Sequence, residues 1–288
     1  MAKTNKLLKI LMYVLVITVT ASVLIPVAWV MLASLKERGE FYGNPWSLPK
    51  GLFFQNLVDA FQAANMGKYF FNSVLVTILA LVINLIITVP AAYVISRFQF
   101  KAQKVLNFFF MAGLFINVNY IVVPIFLMLL DADKAAIEMF PDGFFINNLF
   151  VLALVYAATT IPFTIYLLGG YFRTISPTYE EAAMIDGASH FEIMMKVIVP
   201  MAKPAITTVI LFNFLSYWND YIISITLMPG ENRTLQVGLL NLMNAQKAAA
   251  NYGRLYAGMV IVMVPALILY GIIQKQMLAG MAQGGSKE

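Results

Sequence analysis

Cysteine is absent from this chain of 288 residues, and histidine occurs once, as His190. The chain therefore forms no disulfides, thiolate metal sites or histidine metal clusters, and we expect it to contain no metal site and no catalytic residue. Charged residues are also scarce: they make up 11% of the sequence, whereas a soluble domain carries about 25%. Since 61% of the residues are hydrophobic, the composition predicts an integral membrane protein.

Six apolar runs are long enough to cross a bilayer, which takes about 20 residues of α-helix. Prolines lie inside five of these runs, and proline tends to bend a helix. We therefore predict an all-α membrane protein, with residues 1–288 forming one domain of six transmembrane helices. The approximate bounds of the runs are 10–35, 69–96, 105–130, 144–172, 204–228 and 255–274.

Basic residues concentrate on one side of the predicted membrane domain. Lysines precede the first run, and basic residues fill the 97–104 turn, whereas the 131–143 loop is mainly acidic. By the positive-inside rule both termini are expected in the cytoplasm, together with the polar segment 173–203. This topology accounts for the net charge of +5, so no nucleic-acid partner is predicted.

Segment 173–203 is a polar stretch between the fourth and fifth predicted spans. Gly187 suits the end of a helix, since glycine adopts the left-handed conformation found there. Ser189 followed by Glu192 matches a capping box, which starts a new helix. The pattern predicts a helix, a glycine corner and a second helix, at the cytoplasmic surface.

The same segment resembles the permease subunits of bacterial ABC importers. Their pattern is Glu-Ala-Ala, three residues, Gly, nine residues and Ile-x-Leu-Pro; this chain keeps the spacing and has valine for both isoleucine and leucine. In that family the element is a coupling helix that enters a cleft on the ATPase subunit. The resemblance implies that contact for Glu181, Ala182, Ala183, Asp186, Gly187 and Pro200.

Two interpretations of Glu181 stay open at this point. It lies three residues after Thr178, so the pair is a possible capping box in which Glu181 only stabilises the start of a helix. Alternatively, its carboxylate binds a basic or amide group of a partner.

Shorter strings resemble the carbohydrate importers, above all the second permease of transporters similar to the maltose transporter. Examples are Ser34-Leu35-Lys36, Phe71-Asn72-Ser73 and Tyr217-Trp218-Asn219-Asp220. The resemblance covers nearly the whole chain and implies a type I ABC importer permease in the bacterial inner (cytoplasmic) membrane. Its implied partners are a homologous permease, two ATPase subunits, an external solute-binding protein, membrane lipid and an oligosaccharide.

The chain lacks a usable nucleotide site. Residues 280–287 have the glycine spacing of a P-loop, but Ser-Lys stands in place of Lys-Ser and no helix follows. We therefore expect no cofactor in this chain and no enzymatic activity, with ATP and Mg²⁺ held by a partner ATPase. In resembling permeases a similar tail reaches into the ATPase dimer; a frayed terminus is the alternative.

Asp220 is the main candidate for a translocation path, because a carboxylate inside a membrane span usually faces a cavity or a partner. Asn213, Tyr217, Asp220 and Ser224 have the spacing of one helix face. Alternatively, Asp220 is a structural acceptor near the outer interface, and the asparagines of the third run are interhelical contacts. The predicted path residues are Asn213, Tyr217, Trp218, Asn219, Asp220, Tyr221, Asn117, Asn119 and Tyr120.

The 229–254 loop is, by composition, a helical surface loop. In the resembling permeases it contacts the solute-binding protein, which implies this role for Asn241, Asn244, Gln246, Asn251 and Tyr252. Two other functions remain open: an ABC permease for a non-sugar solute, and an ion-coupled secondary carrier or small channel. The absence of an internal sequence repeat disfavours a carrier.

Overall fold

The computed structural model describes residues 6–141, 143–249 and 251–284 of the chain. Within these ranges the regular secondary structure is helical, with a 3₁₀ turn at Ala63–Asn65 and a π-helical turn at Met194–Ile198. The α-helices are α1 (Lys6–Ala33), α2 (Arg38–Gly43), α3 (Gln55–Gln62), α4 (Met66–Arg97), α5 (Gln103–Gly113), α6 (Val118–Ala135), α7 (Leu149–Thr174), α8 (Thr178–Ile185), α9 (His190–Ile193), α10 (Val199–Met201), α11 (Lys203–Trp218), α12 (Ile222–Leu227), α13 (Leu235–Ala249) and α14 (Tyr252–Gly284).

Four helices of the described chain, α1, α4, α7 and α14, are long and apolar enough to cross a membrane. Two bent pairs raise the number to six if each pair is one span: α5 with α6, bent by 104°, and the helix at His190–Met201 with α11, bent by 77°. The predicted all-α membrane fold is confirmed. The orientation of the termini stays a prediction.

Two of the predicted spans are interrupted. The 105–130 run bends between α5 and α6, where Asn117 caps α6 by accepting a hydrogen bond from the Asn119 backbone N–H at 3.0 Å. The 204–228 run stops being helical after Trp218 and resumes at Ile222. Neither run therefore forms one continuous helix.

Prolines do not mark these interruptions. Pro26, Pro90, Pro124, Pro162 and Pro265 each lie inside a helix that continues past them. In a membrane helix, neighbouring groups satisfy the carbonyl that proline leaves free.

The chain divides into two compact units. The first contains residues up to Gly67 together with Gly238–Val264. Its first helix, α1, exposes nearly all of its apolar side chains up to Pro26. Such a surface requires lipid or another apolar partner around it.

A buried lysine lies at the centre of the first unit. The Lys36 side chain is fully buried; its Nζ donates to the Pro45 carbonyl at 2.7 Å and lies 4.9 Å from the centroid of the Trp29 ring. The Asn56 amide donates to the carbonyls of Ser34 and Lys36 at 3.0 and 2.7 Å. These contacts fasten the end of α1 to the loop that follows and to α3.

The second unit contains Lys68–Val237 and the residues from Pro265 onward. One of its apolar clusters joins α4, α6, α7, α11 and α12 and includes Tyr156 and Tyr217. A second cluster packs Ile193 and Ile198 of the 173–203 segment against Tyr93 of α4 and Phe172 of α7. The polar segment is thus packed against the ends of two spans.

Candidate functional site

The 173–203 segment has the predicted helix, glycine corner and second helix. Helix α8 ends at Ile185 with Asp186 as its C-cap, and Gly187 follows with φ +82°, a left-handed conformation that favours glycine. Ser189 and Glu192 form the predicted capping box: the Ser189 backbone N–H donates to Glu192 Oε2 at 3.1 Å, and the Glu192 N–H donates to Ser189 Oγ at 3.4 Å. A turn of π-helix then leads to α10.

Glu192 is fixed as an anion at the surface of this segment. Its hydrogen bond from Lys196 Nζ, 2.9 Å long, together with those from Ser189, lowers the pKa of Glu192 to about 2. The Glu192 carboxylate of the capping box is therefore ionised at neutral pH.

Glu180 is turned into the protein and forms an ion pair with Arg97, the last residue of α4. Arg97 Nε lies 2.8 Å from Glu180 Oε1, and the two side chains are only 10% and 11% exposed. Arg97 also donates from Nη2 to the Ile175 carbonyl at 2.7 Å. We refer to this contact as the Arg97–Glu180 pair; it ties α8 to the end of a membrane span. The sequence pattern did not predict it.

Glu181, by contrast, is exposed. The capping-box interpretation with Thr178 was wrong, because Thr178 is the first residue of α8 and Pro177 holds the N-cap position. The Glu181 carboxylate is therefore available to a partner.

The outer face of the segment combines polar and apolar side chains. Ile185 is 87% exposed and Phe191 68%, with Met184 and Met195 also exposed. Exposed apolar side chains on a polar element indicate a protein contact surface. Of the residues predicted to contact an ATPase, Ala183 is half-buried; the others, Glu181, Ala182, Asp186, Gly187 and Pro200, are exposed on this segment.

A cavity of about 250 Å³ lies between α6, α7, α11 and α12, and Asp220 is on its wall. Asp220 Oδ2 accepts hydrogen bonds from the Tyr156 hydroxyl at 2.8 Å and from the Ser224 backbone N–H at 2.9 Å. The Tyr156 and Tyr217 rings are parallel, with centroids 5.4 Å apart, and the Tyr217 hydroxyl contacts Thr160. A carboxylate and hydroxyls beside aromatic rings suit a ligand with hydroxyl groups and apolar C–H faces. We refer to this as the Asp220 cavity.

Some predicted path residues line the Asp220 cavity and others do not. Asn117, Asn119 and Tyr217 line it together with Asp220. The predicted helix face does not continue to Ser224, because α11 ends at Trp218. The remaining predicted residues do not line the cavity. They are Asn213, Trp218, Asn219, Tyr221 and Tyr120.

Three of these residues have clear structural contacts. Asn213 is buried and donates to Asn84 Oδ1 at 3.1 Å, and Asn84 donates to the Ala157 carbonyl at 3.1 Å. The Trp218 ring stacks on Phe214, with centroids 5.5 Å apart. Asn219 is exposed and accepts a bond from Gln236. Tyr120 is 83% exposed, and Tyr221 is half-buried.

The sequence pattern missed part of the cavity wall. Tyr156, Thr159 and Thr160 on α7 and Ser216 on α11 line it. The two threonines at positions 159 and 160 interrupt an apolar run, and this interruption could have indicated that α7 lines a polar cavity.

Of the predicted binding-protein contact residues, three are in α13, Asn251 directly precedes α14, and Tyr252 is the first residue of α14. Asn244 and Tyr252 are exposed, and Asn241 and Asn251 are half-buried. The Gln246 side chain lies outside the described part of the structure, as do positions 285–288 of the tail.

The membrane helices, the surface segment and the cavity define a membrane transport component. Residues 60–282 match the family described as the inner membrane component of binding-protein-dependent transport systems. The chain belongs to this family, which is a family of transport components and not of enzymes, and the ion-coupled carrier interpretation is set aside.

Two relatives extend over almost the whole chain. The diacetylchitobiose uptake system permease protein NgcG of Streptomyces coelicolor is 32% identical over 284 residues, which covers 98% of this chain and 90% of that protein. The multiple sugar-binding transport system permease protein MsmG of Streptococcus mutans is 27% identical over 290 residues, covering 100% of both chains.

The fold is similar to that of a chain in the crystal structure of a bacterial ABC transporter involved in the import of the acidic polysaccharide alginate. The TM-score is 0.79 at 24% identity, over 96% of this chain and 98% of that one. The predicted type I ABC importer permease fold is thereby confirmed.

Proposed function

We propose that this chain is a permease subunit of an ATP-driven importer for an oligosaccharide, located in the bacterial cytoplasmic membrane. The observation that carries the proposal is the family match over residues 60–282. The names of the relatives, which refer to diacetylchitobiose and to multiple sugars, support a carbohydrate substrate. The stacked tyrosines and Asp220 of the cavity support the same class of ligand, with the chain forming half of the path.

The partners follow from the same proposal. A homologous permease completes the path, two ATPase subunits hold ATP and Mg²⁺, and an external solute-binding protein delivers the sugar to the side that carries α13. The alginate transporter has been crystallised with a pentasaccharide-bound periplasmic protein, and its chain has this fold with a TM-score of 0.63 at 15% identity. Both termini and the 173–203 segment would then face the cytoplasm.

Docking of an ATPase on α8 and the Gly187 corner is the coupling step. Closure of the ATPase dimer moves α8, and the Arg97–Glu180 pair passes this motion to α4. Affinity purification of the tagged chain in mild detergent tests the assembly: a stoichiometric ABC ATPase and a second permease should copurify. Purification of the chain alone, with sugar uptake that responds to an ionophore and not to ATP depletion, would contradict the proposal.

Replacing Gly187 with valine is expected to weaken ATPase docking and sugar uptake by about tenfold, since a left-handed residue with a side chain costs about 1–2 kcal/mol. No atom lies within 4 Å of an added Cβ, so the Cβ itself causes no clash and backbone strain is the main expected effect. The matched control is Gly187→Asn, because asparagine tolerates this conformation. Copurified ATPase and labelled-sugar uptake are measured for both variants. Equal activity of the two variants would reject a role for the corner.

Replacing Tyr156 with phenylalanine is expected to lower sugar transport by about tenfold, since hydrogen bonds to charged groups contribute about 1.5–3 kcal/mol. The variant removes the hydroxyl that donates to Asp220 and leaves the ring stacked on Tyr217. Tyr120→Phe is the matched control, because Tyr120 is 83% exposed and outside the cavity. Initial uptake rates are measured against sugar concentration. If both variants transport equally well, the Asp220 cavity is not on the path.

A further inference from the structure

A second and larger cavity, of about 420 Å³, opens on the surface of the second unit between α5 and α7, beside the end of α4. It shares no residue with the Asp220 cavity or with the 173–203 coupling face apart from Arg173, at the start of that segment. Its lining is divided: Lys104, Arg173 and Asn107 are polar, whereas Phe108 and Met111 are apolar. We refer to it as the Lys104–Arg173 cavity.

The two cations of this cavity have no partner among the residues that the structure describes. Lys104 lies in the first turn of α5 and Arg173 in the last turn of α7, so both lie at the same end of the bundle as the end of α4. Both side chains are exposed. In the described ranges neither forms an ion pair or a hydrogen bond, whereas the neighbouring Arg97 is paired with Glu180. Two unpaired cations on one rim favour an external anion.

The remainder of the cavity suits an apolar chain. Phe108 and Met111 continue along α5 away from Lys104, into the apolar part of the span. Opposite them, α7 presents Gly169 and Gly170, and a Cβ added at either position meets no atom within 4 Å. Glycine lowers helix stability relative to alanine. Here Gly169 and Gly170 leave an open strip on the surface of α7, which we refer to as the glycine strip.

We propose that the Lys104–Arg173 cavity binds an anionic phospholipid. The phosphate contacts Lys104 and Arg173 at the membrane surface, and an acyl chain lies between Phe108, Met111 and the glycine strip. Basic pockets between membrane helices are suited to anionic headgroups. A free phosphate or nucleotide would satisfy the cations but leave the apolar walls exposed, and a helix of a second permease would leave the cations unpaired unless it supplied acids.

The experiment uses the complex that copurifies with this chain, delipidated in detergent. It is titrated with phosphatidylglycerol and with phosphatidylcholine of the same acyl chains, and bound lipid is counted by native mass spectrometry. The wild type should bind phosphatidylglycerol preferentially, and Lys104→Ala with Arg173→Ala should lower this affinity by about tenfold or more, as expected for two basic groups at an anionic headgroup. Lys101→Ala is the matched control, because Lys101 is a neighbouring exposed lysine that does not line the cavity.

A second variant tests the apolar part of the site. Gly170→Leu fills the glycine strip without meeting another atom at Cβ and leaves both cations in place. It should also lower phosphatidylglycerol binding, while gel filtration of the complex is unchanged.

Three results would overturn the proposal. One is a double alanine variant that loses no more phosphatidylglycerol affinity than Lys101→Ala does. Another is displacement of phosphatidylglycerol by millimolar inorganic phosphate, which would identify a free-anion site. The third is loss of the second permease from the double variant with lipid binding intact, which would identify the cavity as a subunit interface.

Discussion

Replacing Glu180 with alanine is expected to destabilise the permease by about 3 kcal/mol and to remove most of its sugar uptake, because a buried charge that loses its partner is strongly unfavourable. Arg97, whose side chain is only 10% exposed, would remain at the end of α4 without its partner. The link between α8 and that span would also be lost. Thermal unfolding of the purified protein and uptake of labelled sugar measure the two effects.

The neighbouring residue provides the matched control. Glu181→Ala changes an exposed carboxylate, so its stability should stay within about 0.5 kcal/mol of the wild type, as for most surface substitutions. It should nevertheless lose copurified ATPase. The double variant Arg97→Met with Glu180→Met should regain stability, because apolar residues of similar volume often replace a buried ion pair well. Equal thermal stability of Glu180→Ala and Glu181→Ala would show that the Arg97–Glu180 pair does not stabilise the protein.

Replacing Gly253 with alanine is expected to destabilise the first unit by about 1–3 kcal/mol, the usual cost of overpacking. An added Cβ would lie 2.7 Å from the Lys36 carbonyl oxygen and 2.6 Å from Asn56 Nδ2. Asn56 cannot move away freely, because its amide donates to the carbonyls of Ser34 and Lys36. A lower unfolding temperature and a lower yield of membrane-inserted protein are the expected results.

Gly271→Ala in the same helix is the control. No atom lies within 4 Å of its added Cβ, and alanine favours a helix over glycine by about 1 kcal/mol, so the unfolding temperature should stay equal or rise. If the two alanine variants shift the unfolding temperature alike, the close approach at Gly253 does not limit stability.

Local sequence patterns predicted the structure of the 173–203 segment well. The Ser189–Glu192 capping box and the left-handed Gly187 depend on residues within a few positions of one another, and both are present in the structure. The hydrophobic runs likewise located the membrane helices, since each run reflects a lipid or protein environment around the helix itself.

The Arg97–Glu180 pair could not be predicted in the same way. Two glutamates stand side by side at 180 and 181, and only the phase of α8, set by its start at Thr178, turns the first inward and leaves the second exposed. The partner lies at the end of a distant helix. Hydrophobicity and local spacing indicate neither the phase of α8 nor which distant residue pairs with Glu180.

The Asp220 cavity was only partly predicted, for a related reason. Asp220 was identified because a carboxylate in a membrane span is energetically costly. The helical spacing from Asn213 to Ser224, however, was assumed to continue beyond Trp218, where α11 ends. Tyr156 was not identified because one tyrosine in an apolar run fits many environments. Its role depends on α7 and α11 being adjacent, which is a property of the folded unit.

Asn84 has a consequence for the biogenesis of this protein. Its side chain bonds to Ala157 and Asn213, which lie 73 and 129 positions further along the chain. During synthesis α4 therefore enters the membrane before either partner has been made, with an amide that lipid cannot satisfy. The Asn84 side chain can form these hydrogen bonds only after α7 and then α11 have been synthesised. The interior of the second unit is therefore completed only late in translation.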